Sequence, residues 1–182
     1  MGVDDFMSLV AARRSCRDYL DKAVPEAALA KCLEAARLAP SACNKQPWRF
    51  VVVTAPETRR RLCDGCLLPG LPMPWLSRAP VLVALCVEES LLTHKLAPLL
   101  SGVKYPLVDA GIAGEHFVLA ATAQGLGTCW IGWFRPRPLK RLLGVPPRIK
   151  VVSLLSVGYP AAEAPASGRL EMAAIRRDGG WG

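Results

Sequence analysis

Apolar and polar residues follow two rhythms along the chain, and each rhythm predicts one kind of element. Residues 24–39 place apolar side chains every three to four positions, which predicts an amphipathic helix. Its predicted buried face consists of Leu29, Cys32, Leu33 and Ala36. Pro25 suits the first turn of this helix, because the N–H that proline lacks would have no partner there.

Continuous apolar runs at 49–55, 81–89 and 149–160 predict buried strands. The stretch GTCWIGWF, residues 127–134, predicts a strand or a turn. Shorter periodic segments predict helices at 4–15, 56–66 and 137–144, the first with Phe6, Leu9 and Val10 on one face.

The longest predicted helix covers residues 107–127 and is apolar on nearly every side, which is typical of a buried helix. Its many small residues would let another helix come close. The proline- and glycine-rich stretch 67–80 predicts a loop, and 93–106 is expected to be a mobile segment over a site. Beyond residue 160 the chain is expected to be extended and polar.

Length and composition favour one folded domain over residues 1–182, with 52% hydrophobic and 21% charged residues. No apolar run approaches the roughly 20 residues of a membrane span. The N-terminus has acidic residues before its apolar positions and basic residues after them, which is the reverse of a secretory signal. Seven cysteines, an odd number, argue against a disulfide framework and for a reducing, cytoplasmic location.

A net charge of +8 raises the question of nucleic acid, but the basic residues form short groups rather than one stripe. A basic surface, or pockets for a phosphorylated cofactor, needs fewer assumptions, and neither nucleic acid nor membrane is expected as a partner. Cys63 and Cys66 form a CxxC pair without a second pair to complete a tetrahedral metal site. Packing is the favoured role of this pair, and no metal site is expected.

The stretch RRSCR contains Arg13, Arg14, Ser15 and Arg17. It has two interpretations: a solvated helix C-terminus, where cations favour the helix dipole, or an anion site, since arginine forks match phosphate oxygens. The glycine pair at 125 and 127 is typical of a helix end and is not a dinucleotide fingerprint.

The stretch PSACNKQPW also has two interpretations. It could be a capped turn followed by a core tryptophan. Alternatively, Ser41, Asn44 and Gln46, which offer more polar groups than a turn requires, could bind the edge of a polar heterocycle. In GTCWIGWF the aromatic residues could all be core, yet Gly132 between bulky neighbours suggests that something flat approaches the backbone.

Taken together and in this order, these stretches resemble the nitroreductase family of flavin enzymes. RRSCRDY resembles the family's FMN-phosphate motif, APSACNKQPWRFVVV its signature before the first strand, and residues 109–134 its central helix and the strand behind the flavin. The VGYP sequence and Arg169 resemble the family's closing segment, so the resemblance covers nearly the whole chain.

The resemblance implies an α+β fold with a mixed, mostly antiparallel sheet flanked by helices, in an intertwined homodimer with FMN at the subunit interface. One subunit would bind FMN through Arg13, Arg14, Ser15 and Arg17, with Arg13 and Arg169 at the phosphate and Arg17 at the pyrimidine edge. Pro40, Ser41 and Asn44 would come from the other subunit, and Trp130, Ile131 and Gly132 would lie along the isoalloxazine.

The activity that the resemblance implies is ping-pong hydride transfer through flavin N5, from NADH or NADPH to a nitroaromatic, quinone or related acceptor. The flavin carries the chemistry, so no side-chain nucleophile or general base is expected. Residues 63–75 lack the asparagine-containing helix that many family members place against the flavin. The alternatives are a flavin-destroying benzimidazole synthase or a reductive dehalogenase of the same superfamily, and an FMN-free basic interaction module.

Overall fold

The computed structural model describes residues 2–88 and 102–181. Its helices are α1 (Val3–Ala12), α2 (Glu26–Arg37), α3 (Pro56–Gly65), α4 (Tyr105–Ala123), α5 (Pro136–Leu143) and α6 (Met172–Ile175). Its strands are β1 (Trp48–Val53), β2 (Val81–Glu88), β3 (Gly127–Ile131) and β4 (Ile149–Gly158). Short 3₁₀ turns occupy Ala42–Asn44 and Pro74–Arg78. The predicted helices and strands within the described residues are confirmed, with ends shifted by a few residues.

The four strands form one sheet in the order β1-β2-β4-β3. Every pair of neighbouring strands is antiparallel, with Val51 opposite Ala84 and Val83 opposite Leu155. The expected mixture of orientations is therefore wrong for these strands. Among the described residues, Ser15 and Thr128 form an isolated parallel bridge, but Ser15 does not belong to a strand.

Strand β2 lies in the middle of the fold, and seven of its eight residues are buried. On one side of the sheet, helices α2 and α4 pack Leu29, Cys32 and Phe117 into the core. On the other side, α3 and α5 contribute Leu62 and Leu139. Burial on both faces explains why β2 is a continuous apolar run instead of an alternating one.

Helix α4 is buried along most of its length, as its uniformly apolar sequence predicts. Two of its glycines face different surroundings. A Cβ on Gly114 would overlap the Trp130 ring, whereas a Cβ on Gly111 would meet nothing within 4 Å. Gly114 thus lets the indole of Trp130 lie directly against the helix backbone.

The first helix and the C-terminal segment differ from expectation. Helix α1 ends at Ala12, because Arg13 is extended (φ −62°, ψ 123°), and it has no buried residue. Phe6 is 44% and Val10 39% exposed, while Leu9 is half-buried, so the residues that the structure describes cover the predicted apolar face of α1 only in part. The segment after Pro160 contains α6, and it exposes the apolar side chains Leu170, Met172, Ile175 and Trp181. The expectation of a purely extended, polar tail is wrong.

Of the predicted segment 93–106, residues 93–101 lie outside the described residues, and Tyr105 already begins α4. Among the described helices, α4 included, none combines the length and the hydropathy needed to cross a membrane.

Candidate functional site

The site is built on β3, which pairs with β4 on one side only. Along its other side lies the RRSCR segment: Ser15 bridges Thr128, and the Cys16 N–H donates to the Thr128 carbonyl over 2.8 Å. This backbone contact joins two of the predicted site stretches, which are more than a hundred residues apart in sequence.

The three arginines of this segment have different surroundings. The Nε of Arg13 lies 4.0 Å from Oε1 of Glu115 on α4, at the limit of an ion pair. Arg14 turns back along the chain, and its Nη1 donates to the carbonyls of Ala11 and Arg13. Within the described part of the chain, Arg17 has no hydrogen bond or ion pair and is exposed. Of these three arginines, Arg17 is the one with neither a hydrogen bond nor an ion pair among the described residues, and it is the arginine expected at a cofactor ring edge.

The Cys129 thiol reports the charge around β3. Burial raises its pKa above the ordinary 9.0, while the Arg17 guanidinium, a hydrogen bond from Ser15 and, more weakly, Arg13 lower it. Burial dominates, so this thiol stays protonated at neutral pH.

Arg17 shares a cavity of about 380 Å³ with the end of β3. The residues that line it are Arg17, Leu71, Pro72, Met73, Trp75, Trp130, Ile131, Gly132 and Trp133. The structure therefore brings together four of the predicted site residues, and Arg17 is the one charged residue among the described residues lining the cavity. An apolar, aromatic wall with a single cation suits a flat ring with a partial negative charge on one edge.

Gly132 is not required by the fold around it. Its φ is not in the left-handed region, and a Cβ built there would meet no protein atom within 4 Å. Packing within the chain would accept a larger residue, so the expected approach of a flat group to this backbone remains a prediction that the local geometry permits.

The loop at 67–75 is the part of the site that sequence reasoning missed. Its start is joined to the residues after β3: the Arg135 N–H donates to the Cys66 carbonyl over 2.7 Å, and the Leu68 N–H to the Trp133 carbonyl over 3.3 Å. The Trp133 indole N–H also donates to the Pro69 carbonyl. No local pattern signals these pairings, because they join segments about 65 residues apart.

The residues Pro40, Ser41 and Asn44 lie in a separate loop, residues 40–46. The Ser41 hydroxyl accepts the Gln46 N–H over 2.9 Å, and the Gln46 amide donates to Asn44 Oδ1 over 3.0 Å. Trp48 is buried in the core, as the simpler interpretation of this stretch expected. The polar groups thus satisfy one another in part, while Asn44 remains exposed.

The cavity at the end of β3 is not lined by every predicted site residue. No hydrogen bond or ion pair of residues 2–88 and 102–181 joins the 40–46 loop to the RRSCR segment. Arg169 lies in the exposed C-terminal segment, and its Nη1 donates to the neighbouring carbonyls of Ser167 and Gly168.

Cys63 and Cys66 lie on and just after α3, packed against the second core cluster. Burial raises the pKa of Cys63 to about 11 and raises that of Cys66 as well. In the described residues, no group of three or more His, Cys, Asp or Glu side chains is placed to hold a metal ion.

A model of the nitroreductase family matches residues 10–68 and 68–159. A relative from Archaeoglobus fulgidus, provisionally named NADH dehydrogenase/NAD(P)H nitroreductase, is 33% identical over 169 residues and 88% of each chain. The 5,6-dimethylbenzimidazole synthase of Rhodospirillum rubrum is 31% identical over 89% of this chain and 85% of its own. A solved structure of an FMN-dependent nitroreductase from Clostridium difficile has a TM-score of 0.78 at 26% identity, covering 94% of this chain and 98% of that one.

Proposed function

This chain belongs to the nitroreductase family of enzymes, and from that premise we propose that it is an FMN-dependent NAD(P)H oxidoreductase acting on a nitroaromatic, quinone or related acceptor. When bound, FMN supplies hydride transfer through N5, from a reduced nicotinamide to an acceptor that takes the nicotinamide's place. The tasks of the chain are to bind the ring, place a cation at its edge and exclude water.

The cavity at the end of β3 is the observation that carries this proposal. Its walls are apolar and aromatic, the space where a Gly132 side chain would stand holds no protein atom within 4 Å, and Arg17 supplies the positive charge. Trp130, Ile131 and Gly132 would lie along the isoalloxazine and Arg17 at its pyrimidine edge. A fixed cation there stabilises the negative charge that the ring gains on reduction.

The same cavity supports the acceptor class. Met73 and Trp75 of the 67–75 loop line it together with Trp133. The tryptophan rings provide a flat apolar surface and the methionine an adaptable one. Their only strong hydrogen-bond donors are the indole N–H groups. Such a wall favours planar aromatic acceptors over sugars or peptides.

For the phosphate, we propose Arg13, Arg14 and Ser15 at the end of α1, together with Arg169. Guanidinium groups bind phosphate oxygens through paired hydrogen bonds, and each charge-assisted bond contributes about 1.5–3 kcal/mol. The long Arg13–Glu115 contact leaves the guanidinium of Arg13 with donors to spare.

We further propose that residues 1–182 form one FMN-binding domain that works as a homodimer with FMN at the subunit interface. Two apolar surfaces support this: the α1 face with Phe6, Met7 and Val10, and the C-terminal segment with Met172 and Ile175, all exposed in the single chain. Exposed apolar patches of this kind mark association surfaces. In the dimer, Pro40, Ser41 and Asn44 would reach the FMN held by the other subunit.

The benzimidazole synthase relative supports a second candidate, in which the chain consumes its own flavin instead of turning over an acceptor. The two candidates differ in stoichiometry. A reductase oxidises many equivalents of NAD(P)H per flavin and regains its yellow colour in air. A flavin-destroying enzyme whose flavin has been reduced by NAD(P)H does not regain that colour when air is admitted.

The experiment has two steps. The purified protein is expected to show flavin absorbance, and the released cofactor to be FMN by chromatography. Steady oxidation of NADH or NADPH with a nitroaromatic or a quinone, at constant flavin absorbance, is the expected second result. A colourless protein that takes up no added FMN would refute the proposal. Failure of the flavin absorbance to return in air after reduction by NAD(P)H, without multiple turnovers, would favour the second candidate.

A further inference from the structure

The 40–46 loop has an unusual backbone. Cys43, Asn44 and Gln46 have φ values of 50°, 53° and 47°, in the left-handed region that side chains other than glycine rarely adopt. Three such residues within four positions persist only when surrounding contacts fix them, and backbone strain of this kind concentrates at functional sites.

Most of the contacts that fix the loop are internal. Outside it, the Arg49 guanidinium donates to the Gln46 carbonyl over 3.0 Å, from an exposed position. The contact from the core is made by Asp109 of α4, whose Oδ1 accepts the Ala42 N–H over 3.1 Å. Ala42 is the first residue of the 3₁₀ turn that leads into the strained residues.

The buried position of Asp109 lowers the stability of the fold. The residue is 2% exposed, on a helix that is otherwise apolar on its buried side, and its Oδ2 has no hydrogen-bond partner among residues 2–88 and 102–181. Burial of a carboxylate oxygen without a partner costs stability. The packing of α4 alone gives no reason for this residue, whereas the bond to Ala42 does.

We propose that Asp109 is a positioning residue for the cofactor site: by holding the Ala42 N–H, it sets the direction in which Ser41 and Asn44 present their polar groups to FMN. This inference rests on the proposed function, because Asp109 can position Ser41 and Asn44 for FMN only if the protein binds FMN. Asp109 itself stays below the loop and makes no contact with the ligand.

The test removes the bond from each side. Asp109→Ala deletes the acceptor. Ala42→Pro deletes the donor and leaves Asp109 in place. Proline is tolerated at the first position of a helical turn, and the extended Ser41 before it (φ −146°, ψ 157°) is the backbone that proline requires of its predecessor. Asp109→Asn retains an acceptor oxygen. Val118→Ala, at another fully buried position on the same helix, is the control for a weakened core.

Two quantities are measured for each variant. One is hydrogen exchange of the amides of residues 43–46 without FMN, and the other is the FMN dissociation constant by flavin fluorescence. Asp109→Ala and Ala42→Pro are each expected to speed up exchange and to weaken FMN binding roughly tenfold or more, the usual effect of losing a bond to a charged group. The FMN dissociation constant of Asp109→Asn should lie within about threefold of the wild-type value. Val118→Ala should lower the melting temperature but leave both the hydrogen exchange of residues 43–46 and the FMN dissociation constant unchanged.

A double-mutant cycle separates positioning from general damage. If Asp109 acts through Asn44, then Asp109→Ala combined with Asn44→Ala will bind FMN no more weakly than the worse single variant. Combined with Arg13→Ala, which acts at the phosphate, the effects should multiply.

Three outcomes would count against the inference. Equal FMN affinity for Asp109→Ala, Ala42→Pro and wild type would overturn the positioning role alone. Equal losses for Asp109→Ala and Val118→Ala, at equal melting temperatures, would reduce Asp109 to a structural residue. A wild-type protein that binds no FMN would overturn the proposed function and this role with it.

Discussion

Exchanging Gly132 for alanine should separate cofactor binding from folding. A Cβ at this position would meet no protein atom within 4 Å, and the backbone does not have a positive φ. The substitution should therefore change the free energy of unfolding of the apoprotein by no more than about 0.5 kcal/mol, as at an ordinary surface site. The added methyl group, however, would occupy the space over which the flavin ring is proposed to lie.

The size of the binding effect follows from that overlap. Forcing one extra methyl group into a well-packed contact costs about 1–3 kcal/mol, which corresponds to roughly five- to 150-fold in the FMN dissociation constant. Gly132→Ala should thus melt like wild type without FMN and bind FMN at least about fivefold more weakly.

Gly114→Ala is the matched counterpart, with the same chemical change and the opposite expectation. Its Cβ would overlap the Trp130 ring and press on Leu85, so the core must shift. The overlap should outweigh the gain from replacing a helical glycine and destabilise the apoprotein by about 2 kcal/mol, or roughly 4–8 °C in melting temperature for a chain of this size.

The assays are thermal unfolding of the apoproteins at one protein concentration and fluorescence titration with FMN. Gly132→Ala with unchanged FMN affinity would refute the placement of the ring over this backbone. A Gly114→Ala variant as stable as wild type would refute the contact between Trp130 and α4.

Three further predictions follow. Arg13→Ala should weaken FMN binding by roughly tenfold to a hundredfold at unchanged melting temperature, and an affinity within twofold of wild type would contradict the phosphate assignment. The double variant Cys63→Ser, Cys66→Ser should keep its flavin content and its NAD(P)H oxidation, and loss of turnover with full FMN would contradict a packing role. In the wild-type protein, the pKa of Cys63 is about 11, so its thiol should react slowly with alkylating reagents at pH 8. A mixed dimer of Arg14→Ala and Asn44→Ala chains should regain about half of wild-type activity, since twofold symmetry leaves one site intact, and activity no better than the mean of the two mutant homodimers would exclude a composite site.

Local patterns predicted the elements well, because each is decided by a few neighbouring residues. Helix α2 begins after Pro25 and buries Leu29 and Cys32. Strand β2 is apolar and buried over its first seven residues and ends at Glu88. The order β1-β2-β4-β3 could not be predicted in the same way. It depends on pairings between residues about 70 apart, such as Leu85 with Ser153, which no local pattern contains.

The site shows the same division. The RRSCR and GTCWIG stretches were recognisable from residue types, and the structure places them side by side through Ser15 and Thr128. The 67–75 wall was missed, because its position depends on distant backbone bonds to residues 133–135. Asp109 did carry a signal, a single acid at the start of an apolar helix, but its meaning depends on the contact with Ala42.

The exposed surface of α1 makes the cofactor site sensitive to dilution. This ten-residue helix buries no side chain in the single chain, and isolated helices of that length are marginal in water. Arg13 and Arg14 follow directly after it, so in the proposed dimer the partner's surface would hold in place the groups that we propose bind the phosphate. The apparent affinity for FMN should therefore rise with protein concentration, and cofactor loss and subunit dissociation should occur together as a single reversible event.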